Sequence, residues 1–197
     1  INVTDNNFIQ LSIKWNHACA IHTNSSLYCW GTGTYGVLGD GDETEHESEI
    51  AKPVTIIDNN FTQVSVGNTH SCALHANGTL YCWGRGTYGV LGDEDETPHN
   101  VTTPLSVNHH INFTNISVGN SQTCGLSANG SAYCWGSGYY GALGDGNATN
   151  HNATLAVPVN MSSSWISVSV GGSFSCGVLA NGTAYCWGLT QYGRIGD

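Results

Sequence analysis

Basic residues are scarce in this chain: Lys and Arg together number 4 among 197 residues, against 14 Asp and Glu, and the formal net charge is −10. Because no row of cations is available to neutralise phosphates, the composition excludes nucleic-acid binding through a basic patch. No apolar run approaches the roughly 18 residues of a membrane-spanning helix. Hydrophobic residues nevertheless make up 40% of the chain, which argues against disorder.

A four-fold repeat organises the whole sequence. The string Tyr-Cys-Trp-Gly occurs four times, and a second Cys lies ten positions before the Cys of each string. Successive copies are 52 or 53 residues apart, and each is followed by Tyr-Gly, two variable residues and Gly-Asp. We divide the chain into repeats at residues 1–53, 54–105, 106–157 and 158–197, the last without its final loop.

Each repeat is predicted to be β-structure. Apolar and polar residues alternate over residues 61–67, and no segment of ten or more residues has helical periodicity. A three-residue loop at residues 76–78 places Cys72 directly across from Cys82 and requires a left-handed residue at its third position. Gly holds this position in three repeats and Ser25 in the first, so we predict that the first hairpin has the least ideal tip.

The pattern V-x-x-G-x-x-H-x-C-A-L-x-x-N-G-x-L-Y-C-W-G, then Y-G-x-L-G-D and a Pro, resembles the regulator of chromosome condensation repeat. The resemblance covers residues 1–197 and implies an all-β fold in which each repeat is one four-stranded propeller blade. Propellers of this family usually close with seven repeats, so four repeats predict an open arc, or a part of a larger propeller or repeat array.

The two ends of the repeat array are predicted to bind neighbouring repeats. Because the chain starts at Ile1 without a signal-like segment, we interpret it as a processed mature chain or an excerpt of a longer one. The terminal repeats have no polar caps, so their blade faces are expected to bind copies of the same chain. Such copies would close two-fold or stack into a filament.

Eight cysteines in four C-x9-C pairs leave three alternatives: disulfides, buried free thiols and metal sites. Zinc sites favour closer Cys spacings, with a second pair nearby, and none occurs here. We favour one cross-strand disulfide per hairpin, while bridges between neighbouring repeats stay open. The favoured pairs are Cys19 with Cys29, Cys72 with Cys82, Cys124 with Cys134, and Cys176 with Cys186. Disulfides imply an oxidising compartment, so the chain is expected to be secreted, extracellular or at the cell surface.

Glycosylation sequons support the same location. Twelve of 20 Asn begin an Asn-X-Ser/Thr motif, whereas about four are expected from the Ser and Thr content. Four of them recur at the hairpin tip, where Asn-Gly-Thr is also favourable turn chemistry. We predict N-glycans, which would supply the hydrated surface that charged residues do not. The candidate sites are Asn2, Asn24, Asn60, Asn77, Asn100, Asn112, Asn115, Asn129, Asn147, Asn152, Asn160 and Asn181.

Ten of the 14 carboxylates lie in two equivalent segments, residues 40–49 and 93–96. Spaced carboxylates suit calcium, which makes Asp40, Asp42, Asp93 and Asp95 weak candidates. These segments lack the Gly and terminal Glu of an EF-hand, so we favour a solvated acidic loop, with electrostatic docking of a partner as the other alternative. No cofactor or other metal is expected.

The histidines and aromatic columns favour structural roles. His17 and His70 share a repeat column with Gln122 and Phe174, and the pair His109 and His110 is read as an exposed loop. Two aromatic columns suggest either a sugar-binding surface or core, and we favour core for the Trp column. The columns are Trp30, Trp83, Trp135 and Trp187, and Tyr35, Tyr88, Tyr140 and Tyr192.

These features lead to three functional hypotheses. The first is a non-enzymatic extracellular structural glycoprotein that self-associates through its repeat faces into a filament, sheath or surface coat. The alternative is a secreted binding module or inhibitor that presents loops to a protein or glycan partner. The third, a secreted hydrolase, is disfavoured because the sequence contains no nucleophile elbow, phosphate-binding loop or H-E-x-x-H motif.

Overall fold

The structure is a computed structural model that describes residues 7–56, 58–107, 110–147 and 149–196. Within these ranges the chain forms four antiparallel sheets, and in each one the strands follow one another in chain order. The sheets are not closed into a barrel, so the predicted all-β fold of propeller-blade repeats in an open arc is confirmed.

The strands recur with the repeat. The first sheet contains β1 (Phe8–Lys14), β2 (His17–His22), β3 (Leu27–Thr32) and β4 (Glu47–Pro53). The second contains β5 (Phe61–Val66), β6 (His70–His75), β7 (Leu80–Gly86) and β8 (His99–Val107). The third contains β9 (Phe113–Val118), β10 (Gln122–Ser127), β11 (Ala132–Ser137) and β12 (Asn152–Pro158). The fourth contains β13 (Trp165–Val170), β14 (Phe174–Leu179) and β15 (Ala184–Gly188), and single 3-10 turns cover Thr34–Gly36, Tyr139–Gly141 and Gln191–Gly193.

The last strand of each four-stranded sheet corrects the sequence analysis. The repeat division described the end of a repeat as a loop, but in the first three sheets this region contains the fourth strand that the resemblance implies: β4, β8 and β12. These strands do not show a regular alternation of apolar and polar residues. Each pairs with another strand on one side only, and its other edge meets solvent, where charged residues and Pro are tolerated. The fourth sheet has three strands in the part of the chain that the structure describes.

The hairpin register agrees with the prediction. Cys72 lies opposite Cys82, and the amide of Gly78 donates to the carbonyl of His75 at 2.9 Å, which closes a three-residue loop. Gly78 has φ +86, a conformation that costs a side-chain-bearing residue energy. Ser25 adopts the same left-handed region with φ 65, as expected of the least ideal tip.

The hydrophobic core lies between successive sheets. We call the face of a sheet that is directed towards the preceding repeat its front face, and the face directed towards the following repeat its rear face. The first core cluster joins the rear face of the first sheet, through Ile21 and Leu27, to the front face of the second, through Phe61, Val64 and Trp83. No helix of the described residues is long and apolar enough to span a membrane.

Candidate binding surfaces

The four predicted disulfides are present, each within one hairpin. Three of them, Cys19–Cys29, Cys72–Cys82 and Cys124–Cys134, join cysteines that are at most 1% exposed, because a following sheet covers them. The fourth, Cys176–Cys186, is only partly buried. The rear face of the fourth sheet is therefore uncovered.

A hydrogen-bond column joins the rear face of each sheet to the front face of the next. His17 Nε2 lies 2.9 Å from Ser71 Oγ, His70 Nε2 lies 2.8 Å from Thr123 Oγ1, and Gln122 Nε2 donates to Ser175 Oγ at 2.8 Å. Each hydroxyl in turn donates to a backbone carbonyl of the preceding repeat: Val37, Val90 or Ala142. Each histidine Nε2 is therefore the donor to its hydroxyl.

Burial fixes the protonation state of this column. Desolvation lowers the pKa of His17 to about 4 and that of His70 to about 3. Both imidazoles are thus neutral near pH 7. The predicted structural role agrees with their position, since both are at most 3% exposed between two sheets.

The front face of the first sheet is apolar and exposed. Leu11 is 59% and Ile13 71% exposed, whereas their repeat equivalents in the second sheet, Val64 and Val66, are 2% and 3% exposed. The equivalents in the third and fourth sheets are also buried. The same side-chain column is therefore core at every internal junction and surface at this one.

The rear face of the fourth sheet is likewise more exposed than the rear faces of the other sheets. Val178 is partly exposed and Ala184 is exposed, while their equivalents in the first sheet, Ile21 and Leu27, are at most 1% exposed. The innermost strand β13 also exposes Ser169. Its equivalent Ser117 accepts a hydrogen bond from the backbone of β13 at 3.0 Å.

A row of tyrosines follows the turns at the end of each third strand. Tyr88 is 47%, Tyr140 59% and Tyr192 88% exposed, and all three have φ between 62 and 64. Tyr35, the fourth member of the row, lies under the guanidinium of Arg85 at 4.7 Å. A shallow cleft of about 180 Å³ is lined by Tyr88, Ser121, Gln122, Ser137, Tyr139, Tyr140, Gly172 and Ser173.

The Trp column and the Tyr column therefore lie in different environments. Trp83 and Trp135 are 0% exposed, and their indole nitrogens donate to the carbonyls of Val37 and Val90, so the core interpretation agrees with their position. Trp187 makes the equivalent bond to Ala142, yet it is partly exposed on the open fourth sheet, and Trp30 is partly exposed on the first. The Tyr column lies at the surface.

The acidic segments are built around aspartate–histidine pairs. His46 Nε2 lies 2.9 Å from Asp40 Oδ2, and its Nδ1 donates to the carbonyl of Thr44 at 2.9 Å. Both nitrogens face acceptor oxygens, and the carbonyl of Thr44 followed by the carboxylate of Asp40 raises the pKa of His46. His99 and His151 repeat the two contacts. Sequence analysis missed these pairs, although the spacing Asp-x5-His recurs three times.

The weak calcium candidates are engaged within their own loops. Asp40 contacts His46 and Lys52, and Asp42 accepts hydrogen bonds from the amide and hydroxyl of Thr44, which lower its pKa. Asp93 and Asp95 make equivalent contacts with His99 and Thr97. The described residues contain no group of three or more His, Cys, Asp or Glu arranged to hold a metal. Calcium binding thus stays a prediction without support from the geometry.

Most sequons lie at the surface. Nine of the eleven described sequon asparagines are exposed: Asn24, Asn60, Asn77, Asn100, Asn112, Asn129, Asn147, Asn160 and Asn181. Asn115 and Asn152 are partly buried. At the tips the Asn Oδ1 accepts a backbone hydrogen bond, as from Thr79 to Asn77 at 2.9 Å, so the turn role is present as well. Asn2 and His109 lie outside the described residues.

The fold and these junctions define an arc of β-propeller blades. Family models described as "Regulator of chromosome condensation (RCC1) repeat" match residues 8–37, 61–90, 113–142 and 165–194, and a second model with the same description matches 24–74, 77–126 and 129–178. The chain belongs to the regulator of chromosome condensation (RCC1) repeat family.

Relatives and solved structures agree with this family. The chain is 28% identical over 202 residues to "Probable E3 ubiquitin-protein ligase HERC4" of Homo sapiens, covering 99% of this chain and 18% of that protein. It is 29% identical over 181 residues to "Ultraviolet-B receptor UVR8" of Arabidopsis thaliana, covering 91% of this chain and 41% of the receptor. Yeast RCC1 (Prp20) bound to Kap60 superposes with a TM-score of 0.85 at 22% identity, over 98% of this chain and 46% of Prp20. The chain thus spans less than half of each, and the likeness to Prp20 shows the fold alone.

Proposed function

We propose that the chain is a non-enzymatic, extracellular, disulfide-bonded glycoprotein that works by self-association through its two open blade faces. The observation that carries this proposal is the exposure of Leu11 and Ile13, whose equivalents are core at every internal junction. Burying a side chain of this size contributes about 1.5–3 kcal/mol, so covering both strongly favours association. Filament, sheath and surface coat are the assemblies that such contacts would build.

The proposed location rests on the hairpins and the surface. Four disulfides, three of them buried, suit folding in an oxidising compartment. Exposed sequon asparagines on the hairpin tips give oligosaccharides open access to the chain. We expect enzymatic removal of N-glycans from the native protein to lower its mass by several oligosaccharides. A native chain of unglycosylated mass would contradict this part of the proposal.

Self-association is tested by sedimentation of the chain and two single variants over a range of concentrations. Leu11→Asp places a charge on the front face and is expected to abolish the species heavier than a monomer. Ile9→Asp is the matched control: Ile9 is 64% exposed on the same strand, but its equivalents Thr62 and Thr114 remain exposed at internal junctions. Monomers at every concentration for the unaltered chain, or equal effects of the two variants, would overturn the proposal.

A second candidate function is a binding module for a protein or glycan partner, and the tyrosine row supports it. Exposed rings held at left-handed φ are costly to the fold, and such residues often occur at binding sites. Rings beside neutral hydroxyls, as in the cleft between Tyr88 and Tyr140, suit stacking against a sugar. Titration of neutral oligosaccharides followed by calorimetry is the test, and Tyr140→Ala should remove any heat of binding while Tyr192→Ala, outside the cleft, should not.

A further inference from the structure

Two rings of the tyrosine row are covered by an arginine of the same chain. The guanidinium of Arg85 lies 4.7 Å from the ring centroid of Tyr35, and that of Arg194 lies 5.2 Å from the ring centroid of Tyr192. Both distances fall within the range of about 6 Å over which the face of an aromatic ring attracts a cation. The tyrosines of this row are thus held in a geometry that accepts a guanidinium.

The other two rings of the row have no arginine to cover them. Arg85 and Arg194 are the only arginines of the chain, and its two lysines are engaged elsewhere. Lys14 donates to a backbone carbonyl at 3.4 Å, and Lys52 lies 3.5 Å from a carboxylate oxygen. The rings of Tyr88 and Tyr140 are accordingly exposed, and both line the shallow cleft.

Ser137 holds the place in the third repeat that Arg85 holds in the second. The amides of Arg85 and Ser137 donate at 2.7 and 2.8 Å to a carbonyl in the connection between the first two strands of their own sheets. Because the backbone register is the same, an arginine at position 137 would extend over Tyr88 as Arg85 extends over Tyr35. The short side chain of Ser137 leaves this space open, and the cleft lies there.

The lining of the cleft suits the end of one cationic side chain. Tyr88, Tyr139 and Tyr140 supply three rings, and the last two lie edge to face with centroids 6.5 Å apart. Three serines in the lining have hydroxyls that can accept hydrogen bonds from the N–H groups of a guanidinium. Pockets for whole small molecules usually measure about 300 Å³ or more, whereas this cleft measures about 180 Å³.

The charge of the chain favours a cation over a neutral or anionic ligand. The formal net charge is −10, and four carboxylates at residues 93–96 follow Tyr88 in the sequence. Glu94, Asp95 and Glu96 are exposed. A negative field of this kind attracts cations to the surface and repels anions, and an uncharged sugar gains nothing from it.

We infer that this cleft binds the guanidinium of an arginine side chain from a protein partner, stacked on Tyr88 as Arg85 stacks on Tyr35. The inference rests on the second candidate function, a binding module, and names its ligand. A neutral sugar is the competing occupant. Self-association of the chain is not required for this site.

The test is a titration with the peptide acetyl-Gly-Arg-Gly-amide, followed through the NMR signals of the tyrosine rings. Binding should shift the signals of Tyr88 and Tyr140 and leave those of Tyr35 unchanged, because Arg85 already covers that ring. The matched peptide carries citrulline, which has nearly the shape of arginine without its charge. It is expected to bind about tenfold more weakly or worse.

Two substitutions exchange the roles of the second and third repeats. Ser137→Arg should cover Tyr88 from within the chain and weaken peptide binding by about tenfold or more, whereas the control Ser137→Ala should preserve it. Arg85→Ser should uncover Tyr35, whose signals should then shift when the arginine peptide is added. Circular dichroism and complete disulfide formation serve as checks that each variant folds.

The outcomes separate the ligand from the function on which it rests. Equal shifts of Tyr88 with the arginine and citrulline peptides, or undiminished binding in Ser137→Arg, would overturn the guanidinium site. If neutral oligosaccharides bind at the cleft and the arginine peptide does not, the binding module stands and its ligand is not a cation. If neither binds, both the ligand and the cleft as a binding site are wrong.

Discussion

A single column of side chains shows how position in the arc selects a residue type. His17 and His70 donate to a hydroxyl of the following sheet, and Gln122 does the same without a titratable group. The fold therefore needs a long donor here rather than an imidazole.

The neutral histidines make stability depend on pH. The folded-state pKa of His70, about 3, lies below the ordinary value of 6.5. Below pH 6.5 the unfolded chain therefore binds more protons than the folded chain, and the free energy of unfolding decreases as the pH is lowered. One such group loses about 2 kcal/mol between pH 6.5 and pH 4.5. His70→Gln is expected to keep the bond to Thr123 and remove that part of the slope, as urea unfolding at several pH values would show.

The loop histidine His46 makes stability depend on pH in the opposite direction. The raised pKa of His46 means that its contribution to stability is present below pH 6.5 and is lost as the pH rises through the folded-state value. His46→Gln should therefore change the stability profile on the alkaline side of pH 6.5 and leave the acid slope unaltered. His17, with its own lowered pKa, keeps a smaller acid slope in His70→Gln. An acid slope as steep in His70→Gln as in the unaltered chain would contradict the assignment of part of that slope to His70.

At the scale of the element, the hairpin tip allows a graded test of backbone strain. Ser25→Gly should stabilise the chain by up to about 1 kcal/mol, since Gly adopts φ 65 without steric cost. Gly182→Ala should destabilise it, because φ +87 is unfavourable for Ala although nothing lies within 4 Å of the added Cβ. Thermal unfolding of the three proteins gives the comparison.

Gly78→Ala extends this series. Its φ of +86 matches that of Gly182, but an added Cβ would also collide with the side chain of Asn112. We expect it to be the more destabilising of the two Gly→Ala changes, provided that the Asn112 side chain is held in place. Equal losses for the two variants would show that Asn112 moves aside at no cost, and a gain for either would contradict the left-handed turn.

The elements also show what the sequence could and could not predict. The repeat length, the hairpin register and the Cys pairs followed from periodic spacing, because two facing strands couple sequence positions directly. Strands β4, β8 and β12 did not follow, because edge strands carry polar residues and Pro that read as loop. The aspartate–histidine pairs recur at the repeat length, but the contact between each His ring and its carboxylate depends on how the loop folds back, which the spacing alone does not show.

For the candidate binding surfaces, a different factor limited what the sequence could predict. Chain position suggested that the terminal blade faces would be open, but which side chains lie on them requires the strand register and the bulge at the start of β1. That bulge separates Ile9, which lies at a position exposed in every repeat, from Leu11, whose equivalents are core. Sequence alternation alone assigns both residues to one face.

At the scale of the whole molecule, the proposed self-association would cover the two sheet faces whose equivalents are buried at internal junctions. Internal sheets bury Cys pairs, aliphatic residues and the polar column on both sides. In the end sheets, Leu11 and Ile13 on the front face of the first sheet are exposed, and Cys176 and Cys186 on the rear face of the fourth sheet are only partly buried. Association through these ends would give every sheet the environment that the second and third sheets already have.

The measurement that tests this most directly is the rate at which a mild reductant opens each disulfide of the native chain, read by alkylation and mass spectrometry at low and high protein concentration. In dilute solution Cys176–Cys186 should open well before the three bridges whose cysteines are at most 1% exposed. At high concentration its rate should fall towards theirs, because a second copy covers the rear face. A fast rate that does not depend on concentration would show that the rear face stays uncovered, and would contradict the account.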